Sequence, residues 1–122
     1  MRGRLDPAPW PWLDRPRVLL ENADEVSARE SAELLRRSGY AVAVCHGPTP
    51  QARCPLACAD GCALVEGADV VVTSLGDATP EAREVLQWLR LRYDYRPLVV
   101  EPEPGALAPE ALLAAVRDAI AH

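Results

Sequence analysis

Four short apolar runs constrain this chain more than anything else in it: Arg17–Leu20 (RVLL), Tyr40–Cys45 (YAVAVC), Asp69–Thr73 (DVVVT) and Pro97–Val100 (PLVV). Each is too short for a buried helix and rich in β-branched or small apolar residues, so each reads as a buried strand. The alanine–valine alternation of YAVAVC fits a strand covered on both faces. Segments of helical character separate the runs, so neighbouring strands cannot close as tight hairpins. They must pair in parallel through right-handed crossovers, with helices on both faces of the sheet. The expectation is a three-layer, doubly wound α/β domain whose four strands lie in the order 2-1-3-4.

The helix signals agree. Asp24 is placed to cap a helix over 25–38, with Val26, Leu34 and Leu35 as its apolar stripe and Gly39 as the residue that ends it. Thr79-Pro80-Glu81 combines a capping hydroxyl, a proline at the first helical position and an acid in the first turn, opening a helix to about Arg92 with Val85, Leu86 and Leu89 inward. Pro109 and Glu110 open the last helix, where Leu112, Leu113, Val116 and Ile120 keep the helical period. Residues 1–16 carry four prolines and two tryptophans, Trp10 and Trp12, and read as an extended arm before a domain at 17–122.

Composition narrows the function classes. With a net charge of -5, the chain has no footprint for nucleic acid or a membrane surface, and no apolar run approaches a membrane span. The opening MRGRLDPAPWPWLDRPR has no apolar core of a signal peptide, so a cytoplasmic location is expected. All 13 basic residues are arginine, which excludes a Schiff-base or phosphate-loop lysine. No glycine-rich loop follows the first strand, where the sequence is ENADE, so nucleotide binding is disfavoured.

The chemically conspicuous residues are Cys45, Cys54, Cys58 and Cys62, all the cysteines of the chain, in a C-x8-C-x3-C-x3-C pattern with His46 beside the first. Three readings stand together: thiols that fill the core, ligands of zinc or an iron–sulfur cluster, or a reversible disulfide, with Cys54 and Cys62 as the favoured pair. If 54–65 form one helix ended by Gly67, the last three thiols share a face. The axial rise of about 1.5 Å per residue then keeps Cys54 and Cys62 from reaching one ion together.

Parallel sheets bind ligands beyond the carboxyl ends of their strands. Here that rim would carry Glu21, Asn22, Cys45, His46, Thr73, Ser74 and Glu101. Glu101 and Glu103 flank Pro102 and read as a solvated loop. Ser74 with Asp77 lacks a positioned base, and His46 and His122 define no triad, so no catalytic residues are assigned and a small enzyme ranks last.

RVLLENADEVSARESAELLRRSGY, GADVVVTSL and PLVVEPEPGALAPEALLAAVRDAI together resemble a bacterial response-regulator receiver domain, over roughly 17–45, 67–75 and 97–121. The resemblance implies a flavodoxin-like fold, here one strand–helix unit short. Receivers carry a pair of Mg²⁺-holding acids after the first strand, an acceptor aspartate and a lysine before a proline. The matching positions hold Asn22 and Ala23, then Ser74, then Glu101. The resemblance thus implies a receiver that is not phosphorylated and needs no Mg²⁺, a regulatory module acting through a protein partner or self-association. It also implies a cis bond at Glu101-Pro102.

Overall fold

The computed structural model describes residues 15–47, 62–75, 79–92 and 97–121. Its elements are β1 (Arg17–Glu21), α1 (Glu25–Arg37), β2 (Ala41–Cys45), α2 (Ala63–Gly67), β3 (Val70–Thr73), α3 (Pro80–Arg92), β4 (Leu98–Val100) and α4 (Pro109–Ala121). The strands form one fully parallel sheet in the order β2-β1-β3-β4, the order expected from the sequence. Central β1 is in register with both neighbours, Leu19 standing opposite Ala43 and Val71.

Strand alternation divides the core into two layers. Leu19 and Val71 point to one face, where Val65 and Ala68 from the α2 segment and Val85 and Leu89 of α3 close over them. Val18, Leu20, Val70 and Val72 point to the other, covered by Ala32 and Leu35 of α1 and by Leu112 and Val116 of α4. Each fully buried Leu or Val contributes about 1.5–3 kcal/mol by leaving water. Because both faces are apolar, helices are needed on both, and the three-layer architecture follows. No helix among the described residues is long and apolar enough to cross a membrane.

The caps are the expected ones. Asp24 Oδ1 accepts from the N–H groups of Val26 and Ser27 at 3.0 and 3.1 Å. Thr79 Oγ1 accepts from Ala82 N–H at 3.1 Å. Gly39 follows α1 with φ at +98°, a conformation that costs glycine little.

Five expectations are corrected. Val26 is 58 % exposed; α1 instead buries Ala28 and Ala32, small residues that let it lie close to the sheet. A single helix through 54–65 does not form, because Cys62 is extended (φ −125°, ψ 115°) and precedes the first helical residue, Ala63. Gly67 is the last helical residue and Ala68 the cap. Glu101-Pro102 is trans; the turn is closed by Ala106 N–H donating to the Glu103 carbonyl and by Gly105 at φ +80°. Glu101 is buried, not solvated. Trp10, Trp12, Cys54, Cys58, Asp77 and His122 lie outside the described residues.

Candidate functional site

The buried polar residues of the described core are Glu21, Asn22, Thr73, Ser74 and Glu101, each 2–4 % exposed. All five sit at the carboxyl ends of β1, β3 and β4, the rim named from the sequence. Backbone bonds carry the sheet one step past the last paired residues: Asn22 N–H to the Cys45 carbonyl at 2.9 Å, Ser74 N–H to Glu21 at 2.7 Å, and Glu101 N–H to Thr73 at 2.8 Å. The parallel register of Thr73 with Val100 sets Ser74 beside Glu101.

Ser74 Oγ donates to Glu101 Oε1 at 2.6 Å, in the range of a charge-assisted hydroxyl–carboxylate bond. Glu101 Oε2 accepts from Leu107 N–H at 2.7 Å. Both carboxylate oxygens are thus occupied, and the side chain ties the exit of β4 to β3 and to the segment leading into α4. Ser74 and Glu101, the positions that the receiver resemblance matches to the acceptor acid and the lysine, are therefore bonded to each other.

Asn22 is committed to the start of α1. Its Oδ1 accepts from Asp24 N–H at 2.9 Å and its Nδ2 donates to Ser27 Oγ at 3.1 Å. Ala23 is exposed. The acid at this strand end is Glu21, one residue before the Asn22–Ala23 pair. Burial pushes its carboxyl up from 4.5 to about 7, and a hydrogen bond from Thr73 partly opposes that rise. Its Oε1 is buried without a hydrogen-bond partner.

His46 is exposed, and its Nδ1 lies 2.9 Å from the Asn22 carbonyl. A carbonyl only accepts, so Nδ1 carries the hydrogen and the ring orientation is set. Cys45 and Cys62 are half-buried, and both pack against the layer containing Leu19 and Val65. Among the described residues no three of His, Cys, Asp and Glu are grouped to hold a metal ion.

Sequence reasoning missed the Ser74–Glu101 bond and the burial of Glu21. The available signal was register: both acids directly follow the apolar residues of β1 and β4.

A parallel sheet with helices on both faces and polar groups gathered beyond its carboxyl ends defines a doubly wound α/β domain of the flavodoxin-like class. Within that class the fold is that of response-regulator receiver domains. A receiver domain from Clostridium thermocellum superposes with a TM-score of 0.63 at 14 % identity, covering 87 % of this chain and 94 % of its own. The signal receiver domain of an HD-domain protein from Pseudomonas fluorescens gives 0.62 at 18 % identity, with 88 % and 96 % covered. A chemotaxis response regulator of Vibrio cholerae gives 0.59 at 17 % identity, with 86 % and 98 % covered. At these identities the likeness is one of fold. No protein-family model matches the chain, and no curated protein is similar to it in sequence.

Proposed function

We propose that this domain is a receiver-like regulatory module that is not phosphorylated and acts by binding a protein partner. The observation that carries the reading is the Ser74–Glu101 bond, which fills the place of an acceptor acid and its lysine with an internal tie. A serine whose hydroxyl is held by a buried carboxylate is a poor phosphoryl acceptor, and a second negative charge beside Glu101 would be repelled. One carboxylate, Glu21, next to an amide already used in capping is a weak seat for Mg²⁺, which is usually held by more oxygen ligands. A location inside the cell, where partners of such modules reside, belongs to the same reading. Incubation with acetyl phosphate and Mg²⁺, followed by intact-mass measurement, should show no added phosphoryl group; stoichiometric acid-labile phosphorylation would defeat the proposal.

A second reading is a thiol-based input, either metal or redox. It is favoured by Cys45 and Cys62 packing against one core layer. Elemental analysis and a visible spectrum of anaerobically purified protein, with thiol counts before and after mild oxidation, test it. Neither metal, absorbance nor thiol loss would end it.

A further inference from the structure

We propose that the open edge of β4 takes an extended segment of a partner protein as an added strand of the sheet, with acidic side chains toward α3 and apolar ones toward α4. The proposal rests on the partner-binding reading and deepens it by naming the partner's chemistry.

β4 is one of two edge strands, and the two edges differ. Val71 N–H donates to the Pro97 carbonyl at 3.0 Å, and Glu101 N–H to the Thr73 carbonyl at 2.8 Å. In a parallel ladder alternate residues of a strand bond to the same neighbour. Pro97 and Glu101 thus face β3, and Leu98 and Val100 turn their N–H and C=O groups outward. Among the described residues these outward groups have no hydrogen-bond partner. On β2 the same alternation turns Val42 outward, but there Arg36 Nη2 donates to its carbonyl at 3.1 Å. A charged side chain laid across a strand is one way in which proteins blunt an edge. Among the described residues β4 has no such guard, and its Val100 is 42 % exposed. A row of unpaired backbone donors and acceptors beside apolar surface is a template for another strand.

The flanking helices set the side chains of that strand. On α3, Trp88 packs into the layer that contains Val65 and Ala68 of the α2 segment. The right-handed crossover from β3 to β4 turns the opposite flank of α3, carrying Arg83, Leu86 and Arg90, toward the open edge. On the other face, Leu113 and Ile120 of α4 pack into the layer shared with α1. That leaves the flank with Ala111, Ala115 and Asp118 toward the edge. Side chains of an added strand alternate between these faces. Acids on the α3 side meet the arginines. On the α4 side the alanines leave room for larger apolar groups, and Asp118 excludes acids. A second copy of β4 is a poorer occupant. The two-fold axis that pairs two edge strands antiparallel sets α3 against its own copy, arginines facing arginines.

The test is titration of the ¹⁵N-labelled full chain with three capped peptides. One is a Glu-Val hexamer; the second has Lys for every Glu; the third has its central Glu-Val replaced by Pro-Pro, which removes backbone donors. The Glu-Val peptide should give saturable shifts at the Leu98 and Val100 amides and slow their exchange with solvent, and the other two should do neither. Val100→Pro removes an outward N–H that bonds nothing in the described domain, so the β3–β4 ladder is kept, as a dispersed spectrum verifies; binding should weaken about tenfold. Arg90→Gln should weaken it about two- to fivefold, the weight of one exposed ion pair. No saturation in the millimolar range, equal binding of the lysine or proline peptide, full affinity in a folded Val100→Pro, or a dimer closed through β4 in sedimentation would each overturn the assignment. The peptide controls leave the chain unchanged, so they decide the matter even if Val100→Pro does not fold. Phosphorylation by acetyl phosphate would instead overturn the reading beneath it, and the two failures are distinct.

Discussion

Ser74 Oγ and Glu101 Oε1 are 2.6 Å apart across the ends of two adjacent strands, and the same carboxylate holds Leu107 N–H at 2.7 Å. Removing either partner strands the other in a buried setting, which costs about 1–3 kcal/mol. Ser74→Ala and Glu101→Ala should each lower stability by at least that order in urea unfolding. Their double variant should lose less than the sum of the two, because residues sharing one bond couple. Strict additivity would show that the bond contributes nothing.

The buried Glu21 gives the fold a pH dependence of defined sign. Its carboxyl is raised from 4.5 to about 7, so between those values the folded state keeps a proton that the unfolded chain has released. Stability contributed by this group is full below about pH 4.5, declines as pH rises toward 7, and is lost above it. The loss is on the order of 3 kcal/mol, from about 1.4 kcal/mol for each unit of the shift. Glu21→Gln should flatten the stability–pH curve across this window, as followed by thermal unfolding in a series of buffers.

Two glycines separate backbone conformation from packing. Gly39 and Gly47 both have positive φ, at +98° and +85°. A Cβ at 39 meets nothing within 4 Å, whereas a Cβ at 47 lies 2.8 Å from Leu75 Cδ2. Gly39→Ala should cost about 1–2 kcal/mol, the left-handed penalty alone. Gly47→Ala should cost more, unless Leu75 is also shortened. Denaturation midpoints of Gly47→Ala with and without Leu75→Ala check this.

Asp24 accepts two N–H groups of the first turn of α1. Asp24→Ala should destabilise the domain by about 1 kcal/mol and Asp24→Ser by much less. Circular dichroism during urea unfolding measures both.

Much of this architecture is legible from local chemistry. A run such as DVVVT with a capped helix after it leaves few arrangements open, although parallel crossovers alone do not fix the strand order. Cap positions such as Asp24 and Thr79 are legible for the same reason: each is decided by a few neighbouring residues. What was not legible depends on distant partners. Glu101 stands among two prolines and another glutamate, and locally it looks solvated. Its burial is decided by Ser74, 27 residues earlier, and by Leu107 beyond the turn. Val26 has the right spacing for the inner face of α1, but close approach to the sheet selects alanines and turns the valine outward. Cys62 makes no side-chain cap bond, so nothing in the sequence marks the point where α2 begins.

A hydroxyl and a carboxylate encoded in the chain are present in every copy from the moment it folds. On the unphosphorylated reading proposed above, such a domain has no phosphorylated second form in which to keep a record of past stimuli. Two molecules made an hour apart would then carry the same Ser74–Glu101 end, and no phosphatase would be needed to reset either. The message of such a domain would be written in how many copies exist and what fraction is bound to a partner, with synthesis and turnover setting its clock.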